Sequence, residues 1–377
     1  MTELKANLSS YDLETALNAD LADKRNGCFV LDVHDGANVG ERVTSLKIVL
    51  ETVDDYLLNC HDLLAPITKL YIVGIWTPEI LATADKPSTE DEDEDASDAG
   101  QEPASEEQEY RLAAAQIAKL IEQMPALKEL TWISGLPLLA CVLEKLPKSM
   151  TKIILNLGQG ICVQQDTEYS HMAYITPTDM KPLLEQTELK ELRLFSMQVS
   201  LQCVVWETVF RNKAEGGMFL LDLGMATAPL VRKNHWLLAQ DVVGLKVVNE
   251  DSKDKGYKGV DGKGILHYSF GTGEYLDDFC MRKARIASGS DDVKPLPLKC
   301  LKLDGFVIDN LPFDHELSSL VLLTCGDDCI DAGLRAPKTT EVAHSNWGEA
   351  AANGLAHCRI QFPRWTGFFD GEGNVVA

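Results

Sequence analysis

The chain has 377 residues, 45% apolar and 7% aromatic, close to the globular average and enough to bury a sizeable core. A formal net charge of −23 argues against nucleic acid or an anionic membrane surface as partner, since both attract an excess of Lys and Arg. MTELKANLSSYDLETALNADL lacks the basic-then-apolar order of a secretion signal, and no apolar run reaches the roughly 18 residues of a membrane span, so an intracellular home, cytoplasmic or nuclear, is expected.

In chain order, residues 1–40 read as an N-terminal cap carrying one strand, CFVLDV from Cys28. VLDVHDGANVG from Val30 resembles the glycine-bearing loop of a nucleotide-binding fold, but it lacks GxGxxG, and an ordinary strand and turn explains it with no cofactor. A leucine template then opens a first block of repeats, 41–84, with SLKIVLE near Leu46 and TKLYIVG near Leu70. Residues 85–108 read as a disordered acidic insert: residues 85–109 hold twelve Asp or Glu and one Lys, a net of −11 that leaves −12 for the rest.

The second block, 109–249, opens with a helix in EEQEYRLAAAQIAKLIEQM, which places Leu112, Ile117, Leu120, Ile121 and Met124 on one side and stops at Pro125. Three strand signals follow: LKELTWI from Leu127, TKIILNL near Ile153 and LKELRLF from Leu189, with MFLLDLG near Leu220 and VGLKVVN near Leu245 beyond them. Helical stretches separate them: LPLLACVLEKLP, TPTDMKPLLEQ with Thr178 or Asp179 as cap, and SLQCVVWETVFRN with Ser200 as cap. Residues 250–297 read as an excursion, with a turn at Gly271-Thr272-Gly273 and then a helix turning Leu276, Phe279 and Cys280 inward. A last block, 298–335, holds LKCLKLD from Leu298 and SLVLLT near Leu320, and 336–377 reads as a C-terminal cap with HCRIQFPRW as its strand.

The shared core is L-x-x-L-x-L: its last two leucines alternate as on a strand with one buried face, and the first turns inward just before. Spacings of 24 from Leu46 to Leu70, 28 from Leu192 to Leu220 and 25 from Leu220 to Leu245 match leucine-rich repeats. The fold expected is α/β, a leucine-rich-repeat solenoid with a curved parallel sheet on its concave face and helices on its convex face. Leu130, Leu192, Leu220, Leu245 and Leu301 should then lie buried on successive parallel strands of one curved sheet.

Signals of chemistry are weak. Ten cysteines without a CxxC pair fit reduced thiols acting as small hydrophobes. CGDDC at Cys325–Cys329 has no second close pair to complete a zinc site, and His315, His344 and His357 are scattered. FGTGEYLDDF, with Gly271, Gly273, Glu274, Asp277 and Asp278, sets glycines beside carboxylates, and it marks the enzyme alternative; a turn and helix explain it more simply. No nucleophile elbow, Walker loop or HExxH is present, so the expectation is no catalytic, cofactor-binding or metal-binding residue.

A solenoid's concave strand face offers a better candidate. Its outward positions hold Lys47, Lys69, Lys128, Glu129, Lys190, Glu191, Arg193, Lys246, Lys299 and Lys302, a basic bias within an acidic chain. Lys128, Glu129, Lys190, Arg193, Lys246 and Lys302 form the candidate partner-binding set, and an acidic protein is the matching partner.

With LKELTWI, LKELRLF and LKCLKLD, and the L-P lead-in of LPKSMTKIILNL, the chain resembles the irregular leucine-rich-repeat proteins of fungi, which are similar to the substrate-binding halves of F-box proteins. The resemblance covers residues 41 to 335. It implies repeats that hold a protein target, as a scaffold or as the substrate receptor of a ubiquitin ligase. The first forty residues contain no proline and no F-box-like run, which departs from the receptor pattern.

Overall fold

In a computed structural model the described residues are 11–23, 27–32, 46–74, 105–166, 169–232, 236–238, 271–290, 294–308, 316–331 and 359–361. The chain is α/β, with parallel strands alternating with helices, and divides into two compact units: Asp12–Pro182, and Leu183–Ala377 with Met1–Tyr11.

The Asp12–Pro182 unit opens with α1 (Leu13–Ala22), capped by Asp12, whose carboxylate accepts from the Glu14 amide. Strands β1 (Cys28–Asp32), β2 (Lys69–Gly74), β3 (Glu129–Ser134) and β4 (Lys152–Asn156) then pair in parallel and in that order. Helices α2 (Leu46–Asn59), α3 (His61–Leu64), α4 (Ser105–Glu122) and α5 (Ala140–Glu144) lie between them in sequence, and a hairpin, β5 (Ile161–Asp166) with β6 (Tyr169–Ala173), follows β4.

In the other unit, after a 3-10 turn at Lys181–Glu185, β7 (Glu191–Met197) leads through α6 (Gln202–Arg211) to β8 (Leu220–Met225). Next come β9 (Leu230–Arg232) and β10 (Trp236–Leu238), then β11 (Gly271–Thr272), β12 (Glu274–Tyr275) and α7 (Asp278–Ala287). Strands β13 (Cys300–Asp304), β14 (Phe306–Ile308), β15 (Leu322–Cys325), β16 (Ile330–Asp331) and β17 (Arg359–Gln361) complete the described part. Here β7, β8, β13, β15 and β17 pair in parallel in that order, β12-β14-β16 form a small second parallel sheet, and β10-β9-β11 an antiparallel one.

Register explains why one template recurs. Leu70, Leu130 and Ile153 are neighbours across β2–β4, and Leu192, Leu221, Leu301 and Leu323 across β7, β8, β13 and β15. All seven are fully buried, as are Leu127, Met150, Leu189, Met218 and Leu298 at the first template position. The residue after that first position uses its carbonyl twice. Thr68 accepts from the Lys128 and Glu129 amides, Lys128 from Thr151 and Lys152, Lys190 from Phe219 and Leu220, Phe219 from Lys299 and Cys300, and Lys299 from Val321 and Leu322, at 2.7–3.2 Å. Each strand is thereby started by its neighbour, which fixes the register.

Several expectations need correction. SLKIVLE near Leu46 is helix, not strand: Val49 and Val53 are buried four residues apart in α2, and Lys47 therefore sits on a helix. Leu220 is buried but aligns with Cys300, while Leu221 aligns with Leu301, so the template in MFLLDLG is one residue later than the spacing implied. With a period of two, that single step turns Leu220 to the opposite face. Leu112 is 48% exposed; the inward side of α4 is Tyr110, Ala113, Ala114, Ile117, Leu120 and Ile121. The helix starts at Ser105, inside the stretch read as acidic insert. The N-cap of α6 is Leu201 rather than Ser200, whose hydroxyl instead donates to Glu274. Leu245, Lys246 and residues 85–104 lie outside the described residues.

Candidate functional site

Parallel in-register strands stack equivalent residues side by side, so a charge at one template position meets its counterpart on the next strand. In the Asp12–Pro182 unit the row Cys28, Lys69, Glu129, Lys152 runs across β1 to β4. Lys69 Nζ lies 2.7 Å from Asp20 Oδ1 of α1 and 3.6 Å from Glu129 Oε1, and the Tyr71 hydroxyl donates to Asp20 Oδ2 at 2.6 Å. Burial pushes the Asp20 carboxyl up, but the hydrogen bonds from Lys69 and Tyr71 and the Lys69 and Lys152 charges outweigh it and hold the group below its ordinary range. Burial pulls Lys69 down, and its bond to Asp20 with the Glu129 charge reverses the sign. This cluster stays within reach of water, with Lys69 19% and Glu129 27% exposed at the side chain.

The other unit carries a buried counterpart. Arg193 faces Asp222 on β8, and Asp222 faces Lys302 on β13, an alternation of positive, negative and positive. Arg193 Nη1 donates to Asp222 Oδ2 at 2.8 Å and Nε to Glu191 Oε1 at 2.5 Å, while its guanidinium carbon sits 5.3 Å from the centre of the Tyr11 ring. Arg193, Glu191, Asp222 and Lys302 are each less than 9% exposed. Burial pushes the Asp222 carboxyl up against the pull of Arg193 and Lys302, and pushes the Lys302 ammonium down against the pull of Asp222. Two positive and two negative groups make a self-neutralising network, so Arg193 and Lys302 are not open to solvent as the strand-face reading expected. Leu220, Cys300 and Leu322 form an apolar patch beside them.

The exposed cations stand one step earlier, where each strand begins. Lys190 and Lys299 are exposed and Lys128 is half-buried, all at the template position whose carbonyls receive the next strand. The structure thus divides the candidate set: Lys128 and Lys190 at the strand entries, Glu129 in the half-open cluster, Arg193 and Lys302 in the buried network, Lys246 outside the described residues. Asp20, Tyr71 and Asp222 were missed by sequence reasoning. Asp222 was findable, because aligning M-F-L-L-D-L on L-K-E-L-R-L sets it opposite Arg193.

No protein-family model, curated protein or solved structure matches the chain.

The glycines and carboxylates of FGTGEYLDDF have structural work. A Cβ on Gly273 would lie 2.8 Å from Pro229 Cβ and 2.9 Å from Val307 Cγ2. Asp277 caps α7 by accepting from the Phe279 and Cys280 amides. Glu274 accepts from Ser200 and from the buried Gln202 amide, which also donates to the Tyr275 carbonyl at 2.6 Å. Leu276, Met281 and Ala284 are the buried residues there, whereas Phe279, expected inward, is 74% exposed. A surface cavity of about 300 Å³ in the Asp12–Pro182 unit is lined by Arg111, Leu138, Cys141, Ile161, Tyr174 and Asp179 among others; Arg111 is paired with Glu107 at 2.7 Å and Asp179 accepts from Thr176. Among the described residues no three His, Cys, Asp or Glu converge as a metal site; Cys325 and Cys329 are buried, with the Cys329 thiol on the Leu303 carbonyl. His315, His344 and His357 lie outside the described residues.

Proposed function

We propose that the chain is a non-catalytic binding module built on leucine-rich-repeat units, and that it holds an acidic protein against the strand-entry rim. The repeat reading is supported by the coincidence of L-x-x-L-x-L with in-register parallel strands and by helices between many of them, an arrangement in which each repeat buries its leucines only against its neighbours. The observation that carries the functional reading is the exposure of Lys190 and Lys299, both at the same recurrent position of one unit, in a chain of net charge −23. Their backbones are committed to starting the next strand, so the side chains project from a fixed frame and a partner meets them with little ordering cost. Charges of this kind act on association rate and specificity more than on raw affinity.

The test begins with a partner recovered by the full chain from its native source. Its association rate is then compared for wild type, for the combined Lys190→Glu, Lys299→Glu variant, and for Lys119→Glu, which changes an exposed charge on α4. The rim reading expects the combined variant to associate about tenfold or more slowly at low salt, with the difference shrinking as salt rises, and Lys119→Glu to behave as wild type. Equal rates for the combined variant and wild type at low salt would overturn it.

A further inference from the structure

We propose that Cys203 and Cys280 are a thiol–disulfide modification site, joined into a reversible disulfide by a low-molecular-weight disulfide such as oxidised glutathione. Cys203 on α6 and Cys280 on α7 present their sulfurs 3.3 Å apart, and the Cys280 sulfur is 3.3 Å from Asp277 Oδ2. The three groups form one chain of donors: the Cys203 thiol donates to the Cys280 sulfur, and the Cys280 thiol donates to the Asp277 carboxylate. An S–S bond is about 2.05 Å long, so the sulfurs need approach by only about 1.3 Å.

The frame around them is held. The Asp277 carboxylate is fixed by two amides of its own helix start, and the Asp277 amide donates to Gln202 Oε1, one residue before Cys203, at 3.0 Å. Both thiols are half-buried, hence within reach of a small reagent, whereas Cys300, Cys325 and Cys329 are buried. Burial, followed by the bonds to Cys203 and Asp277, raises the Cys280 thiol far above its ordinary value, so it stays protonated and Cys203 attacks first.

In the first step Cys203 loses its proton to solvent and its thiolate attacks one sulfur of the glutathione disulfide. A Cys203–glutathione bond forms, the reagent's S–S bond breaks, and one glutathione leaves as thiolate and is protonated. In the second, Cys280 loses its proton to solvent and its sulfur attacks the Cys203 sulfur; the Cys203–Cys280 bond forms and the second glutathione leaves as thiolate and is protonated. Two protein thiols are oxidised and one glutathione disulfide is reduced to two thiols. The product ties α7 to α6 across 77 positions of sequence.

The experiment equilibrates the full chain with glutathione buffers of rising disulfide content, quenches with acid and maps linkages by mass spectrometry of unreduced peptides. Wild type should yield the Cys203–Cys280 linkage, reversed by dithiothreitol, and Cys280→Ser should stop with one glutathione on Cys203. Asp277→Asn keeps a helix-capping side chain but removes the negative charge that holds the Cys280 proton in place, so closure of the mixed disulfide should quicken severalfold while the melting temperature barely moves. If the melt of Cys280→Ser shows that it does not fold, wild type and Asp277→Asn alone decide the matter. A wild-type chain that retains its glutathione adduct without closing, or links other cysteines in preference to this pair, overturns the proposal.

Discussion

Arg193 shows most sharply what single residues do in this chain. It is buried between Glu191 and Asp222 and bonded to both, so removing it takes the bonded cation away from two buried carboxylates. Arg193→Met should cost about 3–5 kcal/mol in urea unfolding, the usual effect of breaking a buried ion pair from one side, whereas replacing Arg193 and Asp222 together by apolar residues should cost less than Arg193→Met alone. The half-open cluster predicts a pH effect of definite sign. Asp20 is held below its ordinary value of 3.8 in the folded chain, so the unfolded chain binds the proton more tightly. Its contribution is present above that value and is lost as pH falls through the lower folded one; Asp20→Asn should therefore flatten the acid limb of the stability profile while leaving its shape above pH 3.8 unchanged. Arg193 and Lys302 were legible as one strand-face row because their LKELRLF and LKCLKLD copies are unambiguous. Asp222 was not placed there, because Met218-Phe219-Leu220-Leu221 is apolar throughout and its own alternation does not choose the register; only alignment with the LKELRLF copy does. Nor was the burial of the row legible, since a local template says nothing about what the rest of the chain lays over it.

At the scale of elements, strands announced themselves better than helix boundaries. LKELTWI, LKELRLF and LKCLKLD each became the parallel strand expected, because three leucines at fixed offsets satisfy both the strand and its lead-in. SLKIVLE fits two periods at once, and helix won because Val49 and Val53 share one buried side with their neighbours along α2. Ser200 looked like a cap but is drawn to Glu274, seventy-four residues away, a contact no local pattern encodes. The junction of α6 and β7 rests on Asn212, only 1% exposed, whose side chain accepts from the Leu189 amide at 2.7 Å and donates to the Gln186 and Thr208 carbonyls at 2.7 and 2.9 Å. Asn212→Ala should lower stability by about 2–4 kcal/mol, since each buried group left unpaired costs about 1–3 kcal/mol, and amide exchange at Leu189 should report the loss. Leu192→Ala, at a template position with no exposure, should cost about 2–5 kcal/mol by the same unfolding assay. On α7 the contrast is between neighbours: Met281→Ala should fall in that range and Phe279→Ala within about 0.5 kcal/mol of wild type, because Met281 is buried and Phe279 faces solvent.

For the molecule as a whole, the net charge of −23 and the placement of its exposed lysines pull in one direction. In the function proposed above, an acidic protein approaching an acidic chain would meet its attractive field at the exposed lysines of the strand entries, and the rim would set orientation as well as rate. The α/β alternation and its parallel pairing were readable from the repeats, because the leucine template is a statement about which residues each strand buries against the next. What the rim looks like was not, because exposure at Lys190 and burial at Arg193, three residues on, depend on packing that their shared template copy does not reveal. Hydrogen exchange of the full chain with and without its recovered partner tests the central claim most directly. A binding module that uses the rim should show added amide protection at residues 188–191 and 297–300, where the strands begin, with α4 unchanged; protection confined to α4 or to the turn at Gly271–Asp278, with the strand entries unaffected, would contradict it.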